Sequence, residues 1–368
     1  MTDIVMASGE ASGDRLGAAL AAELRILRPS VRIAGIGGDA MRRAGVEIFA
    51  DRAPLSVMGY WDAARRLPQI LSLRRRLVSE ILRRRPRLFV GVDAPDFNLG
   101  AAARARAAGI KTAQYVSPSV WMWRGGRIRK IARAADAVWC LFPFETAYYK
   151  NSGVRAIFVG HPDADAAPPD KFSARRALQI ADGEQLIALM PGSRDAELRQ
   201  HLPLFAETIR LLQTPQRRFV AVAADSAAAE KMRAALPQTE VRTDAAAEIL
   251  RAADAALIKS GTSTLQAALA HSPMVVAYKM SLPAYCAAAA RRFYLPFFAL
   301  PNILCGRFVA PEMLQREATP ELLARQMRRI LEDENRRAAQ IAAWSEIRER
   351  LSASGGARAV AKAALAML

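Results

Sequence analysis

The chain has 368 residues, 52% of them hydrophobic and 24% charged, with no low-complexity tract. That describes a folded globular protein too long for one ordinary core, and it excludes a disordered or fibrous one. Lys and Arg outnumber Asp and Glu by 53 to 35, a formal net charge of +18, which predicts attraction to nucleic acid, anionic lipid headgroups or phosphorylated substrates. An arginine-rich basic proteome would give the same balance. No stretch reaches the ~20 uninterrupted apolar residues of a spanning helix. The N-terminus lacks the basic-then-apolar layout of a signal peptide, so a cytosolic location is expected. Cys140, Cys286 and Cys305 stand far apart, as do the three histidines. This argues against a disulfide framework or a zinc site and leaves only a carboxylate magnesium site open.

In chain order, short apolar runs alternate with helical stretches. Strands are predicted at Asp3–Ala7, Arg32–Ile36, Leu88–Val92, Lys111–Tyr115, Ala137–Leu141 and Ala156–Val159, with helices such as Asp14–Leu27 and Leu99–Ala108 between them. Strand–helix alternation of this kind makes a parallel, doubly wound sheet. Between the second and third strands, Arg65, Arg66, Arg74, Arg75, Arg76, Arg83, Arg84, Arg85 and Arg87 flank an apolar stripe of Leu67, Ile70, Leu71, Leu73, Leu77, Val78, Ile81 and Leu82. Val57-Met58-Gly59-Tyr60-Trp61 precedes it. A basic amphipathic helix beside aromatic residues suits an anionic membrane face. A core-packed helix with a solvated basic side fits equally.

The pattern pauses at the proline-rich His161–Lys171, a plausible hinge. It restarts with strands at Leu186–Met190, Arg218–Ala223, Glu240–Arg242, Ala255–Lys259 and Met274–Tyr278, and ends in helices beyond Pro320. The expected organisation is an α/β chain with two Rossmann-like domains facing a cleft. One domain is residues 1–165 and the other 166–340; the terminal helix over 341–368 packs back on the first domain or on a partner chain.

The loops after the strands carry the chemistry. The first strand runs into Ser8-Gly9-Glu10-Ala11-Ser12-Gly13-Asp14, which is not the dinucleotide fingerprint. Its acids would repel a pyrophosphate, and Glu10, Ser12 and Asp14 suit a hydroxyl-rich sugar better, although Asp14 alone also reads as a helix cap. The strand Leu88–Val92 ends in Asp93-Ala94-Pro95-Asp96-Phe97-Asn98. A carboxylate there is placed for general-base work, or else for capping the next helix. Ser117-Pro118-Ser119-Val120-Trp121-Met122-Trp123-Arg124 offers aromatic faces for sugar or acyl chain and an arginine for phosphate; burial of both indoles in the core is the alternative. In the second half, Gly192-Ser193-Arg194 and Ser260-Gly261-Thr262-Ser263-Thr264 open helices after strands, a setting for backbone N–H groups to hold a diphosphate.

These motifs, with Leu300-Pro301-Asn302-Ile303-Leu304, closely resemble the lipid-A-disaccharide synthases, in family order and over nearly the whole chain. The resemblance implies a GT-B type, metal-independent, inverting glycosyltransferase that needs no cofactor, its UDP-sugar being a substrate. It implies transfer of 2,3-diacylglucosamine from UDP to 2,3-diacylglucosamine 1-phosphate, giving a β-1,6-linked disaccharide at the cytoplasmic face of the inner membrane. Asp93 falls at the family's base position. Glu10, Ser12, Asp14, Met58, Ser117, Ser119, Trp121 and Arg124 fall on the acceptor side. Gly192, Ser193, Arg194, Ser260, Gly261, Thr262, Ser263, Thr264, Gln266, Asn302 and Arg307 fall on the UDP side. Gln266 stands where the family carries glutamate, which removes a charge-assisted bond to ribose; Asp62 likewise stands where the family carries glutamate, one methylene short. The implied partners are lipid-linked sugars, an anionic membrane surface and a second copy of the chain. Another UDP-sugar enzyme of this fold, such as an epimerase, is the alternative. A nucleic-acid binder would explain the charge but not the acidic loops, and the chain lacks such a binder's usual motifs.

Overall fold

The computed structural model describes residues 2–55, 60–121, 126–165, 170–281, 285, 296–352 and 354–368, with the backbone alone over 60–65. The chain divides into two compact units, Met1–Asp165 with Arg350–Leu368, and Ala166–Glu349.

Among the described residues the first unit holds a seven-stranded parallel sheet. Its strands are β1 Ile4–Ser8, β2 Ile33–Gly37, β3 Glu47–Asp51, β4 Leu88–Val92, β5 Lys111–Tyr115, β6 Ala137–Cys140 and β7 Arg155–Phe158, in the order β3-β2-β1-β4-β5-β6-β7. β1 and β4 are central, and their unbroken apolar runs are buried on both faces, as a helix-covered parallel sheet requires. Side chains alternate between two cores. Val5, Ala7 and Phe89 join Leu73, Leu77 and Ile81 of the helix Tyr60–Arg84 on one side. Ile4, Met6, Leu88 and Val90 join Leu20 and Leu24 on the other.

That helix therefore buries Leu73, Leu77 and Ile81 of the expected apolar stripe but not all of it. Its basic side is partly paired: Arg83 and Arg84 with Glu80, and Arg84 also with Glu47. Leu67 and Leu82 remain exposed beside it. The terminal helix Gly356–Leu365 places Val360, Ala361 and Ala364 against Leu20, Ala21 and Leu24 of the first helix, Ala11–Leu27. The stretch His161–Lys171, read as a hinge, opens with a short helix over Pro162–Asp165; its residues 166–169 lie outside the described ones.

The second unit holds a six-stranded parallel sheet of β8 Gln185–Met190, β9 Arg217–Val222, β10 Glu240–Arg242, β11 Ala255–Lys259, β12 Met274–Tyr278 and β13 Glu312–Leu314. Its order is β10-β9-β8-β11-β12-β13. The core forms where Ile187, Leu189 and Leu257 meet Leu202, Phe205 and Ile209 of the helix Asp195–Leu212 and Leu323 and Met327 of the helix Pro320–Glu332. Two strands, β3 and β13, have no counterpart in the sequence reading. Both are edge strands; β3 is half-exposed and β13 is three residues long. Among the described residues no helix is long and apolar enough to cross a membrane.

Candidate active site

In each sheet the strand order reverses at one place, between β1 and β4 in the first unit and between β8 and β11 in the second. The carboxyl ends of the strands at such a reversal are the usual ligand position of an open α/β sheet. Both pairs of loops singled out by sequence lie there.

In the first unit, β1 ends in Ser8 followed by Gly9-Glu10, and β4 is followed by Asp93-Ala94. The two loops touch. A Cβ on Gly9 would stand 2.5 Å from the Ala94 methyl, and one on Gly13 would lie 3.6 Å from Asp93 Cβ, so glycine at position 9 is what permits the approach. Asp93 and Ala94 have φ of +52° and +39°. Neither is glycine, so the turn stores strain of the kind that collects at functional sites. Burial pushes the Asp93 carboxyl above the usual carboxylate range; the Ala94 N–H opposes the shift and the Glu10 charge adds to it. A partly desolvated carboxylate with raised proton affinity, at a strand end beside the sheet's switch point, is equipped to take a proton from a hydroxyl.

The other first-unit residues divide into exposed and structural groups. Glu10, Ser12 and Ser119 face solvent. Asp14 is buried and accepts the N–H groups of Gly38, Ala40 and Met41 at 2.6, 3.0 and 3.4 Å, so it caps the helix Asp39–Arg43 rather than its own. Ser117 is buried, its hydroxyl 2.9 Å from that of Tyr149. The Trp121 indole is also buried, packed edge-on to Phe144, and donates its N–H to Glu145 Oε1 at 3.2 Å. Glu145, which sequence reasoning missed, is 2% exposed and also accepts the Phe142 N–H. Burial pushes its carboxyl up to about 8 against those two bonds. Met58 and Arg124, with Trp123, lie outside the described residues, as do the side chains of Trp61 and Asp62.

In the second unit, β8 leads through Pro191-Gly192-Ser193-Arg194 into the helix Asp195–Leu212. The amides at that helix start are already held. Glu197 accepts the N–H groups of Ser193 and Arg194 at 3.1 and 3.3 Å, the Arg194 guanidinium at 3.0 Å and Lys259 Nζ at 2.8 Å. Gly192, at φ +122°, leaves room for it, since a Cβ there would come within 2.8 Å of Glu197 Cβ. Burial works to raise the Glu197 carboxyl, but the Lys259 hydrogen bond and charge and the two backbone N–H groups outweigh it and hold it at about 2. Arg194, Lys259 and Glu197 leave one net positive charge at the turn. Glu197 reads in sequence as an ordinary first-turn acid, and only its helix position hints at a capping box.

β11 leads through Ser260-Gly261 into the helix Thr262–Leu269. Ser260 Oγ donates to Phe298 O at 3.0 Å, and the buried Thr264 hydroxyl donates to Gly261 O at 2.7 Å. Thr262 and Gln266 are exposed and Ser263 half-buried. Asn302 is fully buried and its hydrogen bonds run to Val309, Ala310 and Glu312 of its own unit. Its Nδ2 donates to Ala310 O and Glu312 Oε1, and its Oδ1 accepts from Val309 and Ala310 N–H. Arg307 pairs with Glu346 at 3.1 Å on the surface.

Two parallel Rossmann-like sheets of this kind make the GT-B fold of sugar-nucleotide enzymes. An Anabaena protein, HepE, solved in complex with UDP-glucose, superposes over 100% of both chains with a TM-score of 0.62 at 13% identity, a likeness of fold alone. The family comes from sequence. A family model described as lipid-A-disaccharide synthetase matches residues 4–366. The lipid-A-disaccharide synthase of Chromobacterium violaceum is 42% identical over 375 residues, covering 98% of this chain and 97% of that one. That of Neisseria meningitidis serogroup A is 45% identical over 332 residues, covering 87% and 86%. The chain belongs to the lipid-A-disaccharide synthase family and is a UDP-sugar-dependent glycosyltransferase of lipid A biosynthesis.

Proposed function

We propose that the transfer is one inverting displacement in which Asp93 is the general base. The donor is UDP-2,3-diacylglucosamine and the acceptor 2,3-diacylglucosamine 1-phosphate. As the acceptor's 6-hydroxyl oxygen attacks the anomeric carbon, its proton passes to the Asp93 carboxylate. The bond from that carbon to the diphosphate oxygen breaks, and UDP departs with the bonding electrons. The α-linked donor thereby gives a β-1,6-linked disaccharide. The net positive charge of Arg194, Lys259 and Glu197, with the opening turn of the helix Thr262–Leu269, takes up charge on the departing diphosphate. No metal or other cofactor enters this scheme. The observation that carries the reading is the Asp93 turn itself, strained, desolvated and set at the switch point of its sheet.

The site of action is the cytoplasmic face of the inner membrane, held peripherally. Support comes from the net charge of +18 and from the basic helix Tyr60–Arg84 with its exposed Leu67 and Leu82. Asp93→Asn keeps the size and loses the base. Its turnover is expected to fall about 10²–10⁴-fold, with UDP affinity by calorimetry unchanged. Near-parental turnover in that variant would overturn the assignment.

A further inference from the structure

Behind the Asp93 turn stand two buried amides, Asn98 on the helix Pro95–Ala107 and Gln114 on β5, 0% and 1% exposed. Asn98 Nδ2 donates to the carbonyls of Asp93 at 2.9 Å, Ala7 at 3.0 Å and Val92 at 3.4 Å. Gln114 Nε2 donates to those of Asp93 at 2.9 Å, Tyr115 at 3.3 Å and Val116 at 3.4 Å. The Asp93 carbonyl thus receives two side-chain donors, one from a helix and one from the neighbouring strand. Its N–H still continues the ladder, to Tyr115 O at 2.9 Å. Gly91 makes the convergence possible: a Cβ there would lie 2.7 Å from Asn98 Cβ and 2.8 Å from Gln114 Oε1. The amide orientations are set by their surroundings. Three carbonyls face each NH2 group, and turning either amide over would set its oxygen against acceptors.

Two consecutive non-glycine residues in the left-handed region persist only where the surroundings over-determine them. Two donors from different elements on one carbonyl restrict rotation of the Asp93 peptide more than one would. Asn98 also ties the end of β1, through Ala7 O, to the end of β4, and so fixes the spacing of the loops that carry Glu10 and Asp93. We propose that Asn98 and Gln114 are positioning residues for the glycosyl transfer, holding the Asp93 peptide left-handed and thereby setting the direction from which its carboxylate meets the acceptor hydroxyl. This rests on the reading of Asp93 as the base.

The test uses the full-length enzyme with Asn98→Leu and Gln114→Met, which keep approximate volume and remove the donors, beside Asp93→Asn. Each of the two is expected to lower kcat about 10- to 100-fold, since a misplacement of about 1 Å is worth about 10²-fold. The KM for the UDP donor and UDP affinity should stay within about twofold. The acid limb of the kcat/KM profile should move, which a purely structural role would not produce. Should Gln114→Met not fold, Gln114→Asn retains the amide one methylene short and is expected to show a smaller fall in kcat with the same unchanged KM. An unchanged kcat in a folded variant, or a fall in kcat matched by a fall in UDP affinity, overturns the inference. If Asp93→Asn is inactive and Gln114→Met or Gln114→Asn is normal, the positioning role fails alone. If Asp93→Asn turns over normally, the base assignment fails first.

Discussion

Asp93 and Glu145 in the first unit and Glu197 in the second are buried carboxyls driven in opposite directions. In the first unit, Asp93 and Glu145 are desolvated with no cation among the causes acting on them, and both are pushed above the ordinary range. In the second, Glu197 is desolvated too, yet Lys259 and two backbone N–H groups drive it down to about 2. Burial is common to both places; the cation decides the sign. Asp93 and Glu145 therefore gain proton affinity, while Glu197 is a fixed negative charge inside a cationic turn. Each environment suits one half of the proposed displacement, a base for the attacking oxygen and positive charge for the leaving one.

The contrast should break most visibly at Lys259. Lys259→Met removes the 2.8 Å partner of Glu197 and the cation over the Tyr278 ring. An unpaired, largely buried carboxylate costs about 3–5 kcal/mol. Less than that is expected, because the Arg194 guanidinium at 3.0 Å and the Ser193 and Arg194 N–H groups remain. The pH dependence follows from the direction of the shift. A depressed carboxyl stabilises the native state above its unfolded value near 4.5, and that contribution is lost as pH falls towards about 2. Urea unfolding from pH 7 to pH 2 should show the parent losing this increment over the acid part of the range. The variant, with less of it to lose, should show a flatter curve there. Equal midpoints for the two proteins at pH 7 would refute the role given to the pair.

Glu145 gives the opposite slope. Its carboxyl is raised from near 4.5 to about 8, so between those values the native state holds a proton that the unfolded chain has released. Stability due to this group is full below about 4.5 and is lost as pH rises to about 8, at up to about 1.4 kcal/mol per unit. Glu145→Gln should flatten that decline in a urea series from pH 5 to 8. It should also alter the near-ultraviolet dichroism of Trp121, whose indole N–H the carboxylate accepts. An unchanged slope would mean that the group does not bind its proton in this window.

Much of this architecture is legible in sequence because it is written locally. β1 and β4 announce themselves as apolar runs, and the loops after β1, β4, β8 and β11 carry the residues that end up at the two switch points. What is not legible depends on distance or conformation. Nothing in Asp14 reveals that its partners are the amides of Gly38, Ala40 and Met41, more than twenty residues on. Arg194 reads as a phosphate ligand, yet its guanidinium is shared with Glu197, whose part depends on Lys259 sixty-two positions away. Trp121 reads equally as a ligand-stacking or a core aromatic because the acid that holds it inside, Glu145, lies in another element. The left-handed turn at Asp93-Ala94 carries no glycine to mark it.

That unmarked turn is where the smallest expected effect on stability tests the contrast most finely. Ala94→Gly should leave stability within about 0.5 kcal/mol of the parent, because three contributions offset one another. Relief of an L-residue at φ +39° gains about 1–2 kcal/mol. The greater freedom of glycine in the unfolded chain costs about 0.4–1 kcal/mol. Loss of a half-buried methyl packed on the first-unit core costs up to about 0.8 kcal/mol. Turnover should nonetheless fall several-fold. With glycine at 94, the peptide that follows Asp93 can adopt further conformations, and the carboxylate samples directions that miss the acceptor hydroxyl. Thermal melting and steady-state kinetics on one preparation separate the two effects. A fall in stability that tracks the fall in turnover would mean that Ala94 matters for packing. Unchanged turnover with unchanged stability would mean that the left-handed turn is a consequence of the loop's path and does nothing for the base.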